Sequence, residues 1–147
     1  MSIPEFDYVI LGAGPAGMAA ALTASEHGLK VLVLDEQSQP GGQIYRNIEN
    51  FWKTRPKEFQ KLGGEYQYAG KMVHKFRMCS AEHLYERSVW HVSRDLRIYH
   101  VNTSGEQENL KPFAVQAKKL LIAVGALERP MPLPGWTLPG VMACTAV

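Results

Sequence analysis

Gly12-Ala13-Gly14-Pro15-Ala16-Gly17 has the residue types and spacing to hold a pyrophosphate. The glycine spacing gains its weight from its flanks. The apolar run Tyr8-Val9-Ile10-Leu11 precedes it and an alanine-rich stretch over 18–24 follows, so strand, tight turn and helix start come in immediate succession. The chemistry lies in the missing side chains: Gly12 permits the turn, Gly14 lets the backbone approach the phosphates, and Gly17 lets the helix pack closely on the strand. A helix beginning at Pro15 aims its unpaired N–H groups, that of Ala16 among them, and the positive end of its dipole at that point. Proline suits a first helical position because no donor is needed there.

A second set of groups lies one strand later. Lys30-Val31-Leu32-Val33-Leu34 ends in Asp35-Glu36, and Asp35 stands 18 residues after Gly17, close to the roughly 20 expected for a carboxylate that accepts a ribose hydroxyl. A carboxylate there disfavours a 2′-phosphate. Only one of the two need touch ribose, and either can equally be a solvated strand end. Gly28 is placed to cap the intervening helix. Soon afterwards comes Gly41-Gly42-Gln43-Ile44-Tyr45-Arg46. A glycine pair this close to the first turn suggests backbone lying against a flat or charged ligand surface, with Gln43 able to donate and accept; an ordinary Pro-Gly turn is the alternative.

Bulk properties narrow the class. At 147 residues the chain builds one core, and its 46% hydrophobic content suits a soluble globular domain. The net charge of +2, with basic residues interleaved with acids, points away from nucleic acid as a partner. Cys79 and Cys144 show no metal-ligand or CxxC spacing, which favours free thiols in a reducing compartment and no metal site. No apolar run reaches the roughly 18 residues of a membrane span. The N-terminus carries acids rather than a basic signal-peptide region, so a cytoplasmic location is expected.

The elements that position these groups can be read in outline. Residues 47–62 read as an irregular loop leading to a short helix near 57–62, which Gly63-Gly64 ends. Residues 65–78 carry Tyr68, Met72, Val73 and Phe76 near helical spacing, as core positions. Residues 84–92, 96–101 and 113–117 read as a three-stranded β-meander. His74, His83, His91 and His100 lack metal spacing and read as surface or satisfied core histidines. Residues 118–126 read as a parallel strand buried on both faces, its carboxyl end beside that of the first strand. Pro130, Pro132, Pro134 and Pro139 then mark an extended linker. The expected organisation is a Rossmann-like α/β domain over 1–128, with a helical and loop insertion over 43–79 and a meander over 82–117, then a linker over 129–147.

The order glycine turn, acid, Gly-Gly-Gln, meander and Leu120-Leu121-Ile122-Ala123-Val124-Gly125-Ala126-Leu127-Glu128-Arg129-Pro130 resembles the FAD-binding half of two-dinucleotide-fold flavoproteins, the superfamily of glutathione and thioredoxin reductases. Within it, residues 41–46, 125–130 and 134–141 resemble the FAD subunits of opine oxidases, hydrogen cyanide synthase and hydroxyproline dehydrogenases. The resemblance implies FAD as cofactor. It implies contacts to the pyrophosphate from Gly12 to Gly17, to ribose from Asp35 or Glu36, along the pyrophosphate and flavin from Gly42, Gln43 and Arg46, to adenine from the Val89 backbone, and from Ala123 to Gly125 in the crevice. Arg129 is a weaker member of that set.

The same resemblance implies an FAD-dependent oxidoreductase that takes a hydride from the carbon beside an amine nitrogen, with a small amine or amino-acid-derived substrate and room for other oxidoreductase subunits as partners. No catalytic residue is assigned. The alternatives are an NAD(P)H-dependent reductase of the thioredoxin or ferredoxin reductase type, and a non-catalytic nucleotide-binding portion. No redox cysteine pair follows Gly42, and Val147 stands where a second cysteine after Cys144 would fall, which argues against dithiol chemistry. Members of the group continue into a second dinucleotide domain, so the chain is expected to be an N-terminal part of such a protein, inactive alone.

Overall fold

The computed structural model describes residues 3–104, 112–126 and 132–142. The apolar run before the glycines forms β1 (Glu5–Leu11), and the alanine-rich run forms α1 (Pro15–Glu26) with proline in its first turn. Gly28, at φ +72°, supplies the left-handed residue that ends α1, and its N–H donates to Ser25 O at 2.9 Å. The chain returns as β2 (Val31–Leu34), parallel to β1 from Tyr8↔Val31 to Leu11↔Leu34 and buried at all four positions.

Three helices follow where two were expected. Residues read as irregular form α2 (Ile48–Thr54), and Pro56 then opens α3 (Pro56–Lys61), because the residue before a proline is pushed out of helical geometry, as Arg55 is at φ −134°. The long helix is α4 (Gly64–Met78). Ala69, Val73 and Phe76 are buried along one stripe and Met72 packs at its margin; Tyr68, expected in the core, is 62% exposed because it lies about 100° around the helix from Ala69.

The β-region departs from expectation at both ends. Residues 84–92 are not one strand: β3 (Glu82–Leu84) joins β2 in parallel, and the meander starts only with β4 (Arg87–Val92). Glu86, in left-handed geometry at φ +54°, breaks the run and donates its N–H to Gln37 O. The runs 113–117 and 118–126, expected as two strands, are joined in the single β6 (Pro112–Ile122), which follows β5 (Arg97–Asn102) and ends before residues 123–126. Lys118 and Lys119 suggest a boundary, yet they are merely exposed strand positions.

One strand therefore joins the parallel and antiparallel halves of a single six-stranded sheet. From Pro112 to Gln116, β6 pairs antiparallel with β5, and from Gln116 to Ile122 it pairs parallel with β1. The order is β3-β2-β1-β6-β5-β4, and the meander turns back, since Arg87 N–H on β4 reaches Asp35 O just past β2 at 2.8 Å. Alternate residues of β1 and β2 then serve two cores. Ile10, Val31 and Val33 meet Met18, Ala21 and Phe76 on the helical side; Val9, Leu11, Leu32 and Leu34 meet Ile98 and Val115 on the meander side. The parallel half of β6 is less covered than expected. Leu120 and Leu121 are half-buried and Ile122 is 66% exposed, because no strand among the described residues pairs with its outer edge past Ala117. Residues 132–142 form successive turns rather than an extended linker, with Trp136 N–H donating to Leu133 O and Leu138 N–H to Gly135 O at 3.0 Å each. Arg129, Cys144 and the expected boundary at residue 128 lie outside the described residues.

His100 corrects another expectation: it is 2% exposed, lies in register between Val89 and Phe113, stacks on Phe113, and neither ring nitrogen has a partner. Burial, aided by the Arg87 charge, pushes its pKa below the usual 6.5. The unfolded chain then binds the proton more readily than the fold does. This contribution to stability is complete above pH 6.5 and is lost as the pH falls from there toward the lower folded value. His83, its ring tilted against that of Phe76 at 4.2 Å between centroids, is shifted the same way by burial and then by Arg77. Thermal melts between about pH 8 and about pH 5 should show a midpoint that drops on the acid side, with a smaller drop in His100→Leu. Parallel curves for the two proteins would show that His100 does not couple folding to protons.

Candidate functional site

The carboxyl ends of β1, β2 and β6 converge. Gly12 N–H donates to Leu34 O and Ala123 N–H to Leu11 O, each at 2.8 Å, so the glycine turn sits where open parallel sheets bind ligands. The three glycines of the turn are not equivalent. A Cβ on Gly12, which is at φ +100°, would lie 2.5 Å from Ala123 O, and one on Gly17 would overlap the Gly12 carbonyl oxygen. A Cβ on Gly14 would meet no protein atom closer than Gly42 Cα, at 4.0 Å. Gly12 and Gly17 are glycines because of the protein; Gly14 faces open space.

That open face lies at the start of α1. Gly14 is its N-cap, at φ −72°, with no side-chain cap and no acid in the first turn. The first-turn N–H groups, those of Ala16 and Gly17 included, have no acceptor within the helix, and Pro15 has none to offer. The arrangement suits an anion. The second glycine pair closes against the same point: Gly41 N–H donates to Ala13 O at 2.9 Å, and a Cβ on Gly42, at φ +62°, would stand 3.0 Å from Gly14 Cα. Gly41, at φ +128°, is equally bound to glycine, since a Cβ there would overlap Tyr45 O. Gln43 and Arg46 follow on the exposed side, where Arg46 Nη2 donates to Gln43 Oε1 at 2.9 Å.

The two carboxylates after β2 have different surroundings. Asp35 is half-buried: Oδ2 accepts Ala13 N–H at 2.5 Å and Oδ1 accepts Gln37 N–H at 2.6 Å. Glu36 is exposed, and its Oε1 accepts from Ser88 Oγ at 2.7 Å. Arg87 N–H, directed at Asp35 O, points away from β5; strand alternation therefore turns the N–H and C=O of Val89 to that same free edge.

The structure thus brings Gly12, Gly14, Pro15, Ala16, Gly17, Gly42, Ala123 and Asp35 together, with Glu36 and Val89 on the adjoining edge. Gly125, at φ +71°, lies just past Ala123 with open space where a Cβ would be. Ser88 and Gln37 carry no sequence signal of their own, whereas Gly41 was visible as half of a glycine pair. Cys79 is remote from these groups: its thiol donates to Phe76 O at 3.0 Å and lies 3.8 Å from His83 Nε2. Among the described residues, no helix is long and apolar enough to cross a membrane.

Residues 6–145 match the family model described as pyridine nucleotide-disulphide oxidoreductase. The chain is 39% identical to an opine oxidase subunit of Agrobacterium tumefaciens (strain Ach5) over 96% of its own length and 28% of that protein's. It is 34% identical to the hydrogen cyanide synthase subunit HcnB of Pseudomonas aeruginosa, over 91% of this chain and 27% of that one. Among solved structures, the L-proline dehydrogenase from P. horikoshii superposes with a TM-score of 0.60 at 22% identity, covering 89% of this chain and 25% of that one, a likeness of fold. The chain spans little more than a quarter of the length of these curated relatives.

Proposed function

This chain belongs to the pyridine nucleotide-disulphide oxidoreductase family, and on that premise we propose that it is the FAD-binding part of an oxidoreductase acting on amines or opines. The observation that carries the reading is the open face of Gly14, flanked by the unpaired first-turn amides of α1 and by Gly42. This cradle fits a pyrophosphate, because it offers main-chain donors and a helix dipole and has no side chain in the way.

In this reading Gly14, Ala16 and Gly17 hold the pyrophosphate, with Pro15 fixing the start of the helix. Gly12 shapes the turn, and a carboxylate after β2 accepts from ribose. The outward N–H and C=O of Val89 meet the adenine edge. Gly42, Gln43 and Arg46 lie along the pyrophosphate toward the flavin, and Ala123 and Gly125 line the crevice. Flavin, when bound, supplies the redox chemistry, accepting a hydride from the carbon beside an amine nitrogen. The substrate class rests on the similarity to HcnB and to the opine oxidase chain of Agrobacterium tumefaciens. What these residues themselves supply is binding and orientation.

Calorimetric titration tests this reading. FAD should bind and ADP should compete for the same site, while FMN, which lacks the adenosine and the pyrophosphate, should give no heat. Tighter binding of NAD than of FAD would overturn it in favour of a nicotinamide-dependent reductase.

A further inference from the structure

We propose that Arg77, which lies outside the phosphate cradle, is a positioning residue for it, clamping both ends of the loop that carries Gly41 and Gly42. The assignment rests on the dinucleotide reading above. That loop runs over residues 35–47, from the end of β2 to the start of α2. Its exit is held directly. Arg77 Nη2 and Nε, on α4, donate to the two carboxylate oxygens of Glu49, in the first turn of α2, at 2.7 and 3.0 Å. A two-pronged pair of this kind fixes direction as well as distance. The side chains are 18% exposed for Glu49 and 34% for Arg77, so the pair is less screened than one on the open surface.

The entry is held through Tyr85, between β3 and β4. The same guanidinium lies over its ring, with Arg77 Cζ 4.8 Å from the ring centre. The residues around Tyr85 are zipped to the loop: Asp35 N–H donates to Leu84 O at 3.1 Å, Glu86 N–H to Gln37 O at 3.1 Å, and Arg87 N–H to Asp35 O at 2.8 Å. The Tyr85 hydroxyl is buried without a partner, so the ring acts by its face and not by its oxygen. One guanidinium therefore joins α2, α4 and the β3–β4 connection around a single loop. Midway along that loop Gly41 N–H reaches Ala13 O and Gly42 stands against Gly14, so spreading the ends lifts the second glycine turn from the first. A cavity lined by Ser38, Gln39, Glu49, Asn50, Lys53 and Arg77 lies beside the loop and leaves room for that movement.

The test combines FAD titration by fluorescence with hydrogen exchange at single amides. Arg77→Met should weaken FAD about tenfold, as expected if the loop is then closed in only about a tenth of the molecules. Arg77→Lys should not restore binding, because lysine keeps the charge but lacks the planar fork. Tyr85→Leu should weaken FAD in the parent and add little in the Arg77→Met background, whereas Tyr85→Phe, which keeps the ring face, should match the parent. In Arg77→Met the buried Gly41 amide should lose its protection, while that of Met18, bonded to Gly14 O, keeps its own. Parental FAD affinity in Arg77→Met, full rescue by Arg77→Lys, or equal loss of protection at Gly41 and Met18 would each overturn the assignment while FAD binding by the parent stands. Should Arg77→Met not fold, the Tyr85 pair carries the test, and equal affinities in Tyr85→Leu and Tyr85→Phe would overturn it. Failure of the parent to bind FAD would instead remove the reading on which the assignment rests.

Discussion

Gly14→Ala should abolish FAD binding, weakening it by at least about a hundredfold, while the ligand-free protein melts at the temperature of the parent. The separation follows from the space around the residue. At φ −72° Gly14 has backbone geometry that alanine adopts without strain, and its added methyl would find no protein atom closer than 4.0 Å. What the methyl would occupy is the approach to the first-turn amides of α1, where a phosphate has to come within hydrogen-bonding distance of the backbone. Flavin fluorescence titration beside a thermal melt decides the matter. Retained binding would move the phosphate elsewhere, and a lowered melting temperature would make Gly14 a packing residue like its neighbours.

Gly17→Ala should have the opposite signature, a loss of fold before any question of ligand. Its methyl would overlap the carbonyl oxygen of Gly12, which is backbone, so either α1 lifts from β1 or the turn at Gly12 deforms. Gly12 is itself confined at φ +100° between Leu34 O and Ala123 O. The cost should reach at least about 3 kcal/mol, the upper range for overpacking a rigid site and a large share of a domain's stability. A urea denaturation midpoint unchanged from the parent would mean that the crossing of helix and strand is looser than its geometry implies.

The contrast between these glycines marks where sequence stops informing. β1, the turn, α1 and β2 were legible because their signals are local: apolar runs, a glycine spacing, a proline and Gly28, all between residues 8 and 34. The carboxyl end of β6 was likewise placed beside β1 from a single apolar run that ended at glycine. The β-strand boundaries were not legible, because they depend on partners. Glu86 divides β3 from β4 through a bond to Gln37, and β6 continues through Lys118 and Lys119 because β1 pairs with it there. Asp35 and Glu36 were equivalent in sequence and are distinguished only by donors brought in by the fold, Ala13 from 22 residues before Asp35 and Ser88 from 52 residues after Glu36. The orphaned imidazole of His100 was invisible for the same reason, since burial without a hydrogen-bond partner is a property of the packed strands.

The claim that two glycine turns together cradle a pyrophosphate is tested most directly by following individual backbone amides. In a nitrogen-15 correlation spectrum of the isotope-labelled 147-residue chain, added FAD should shift the amide signals of Gly14, Ala16, Gly17 and Gly42 most, with smaller movements at Glu36 and Val89. Saturable FAD binding that leaves those four amides in place, with the large shifts on other elements, would contradict the account.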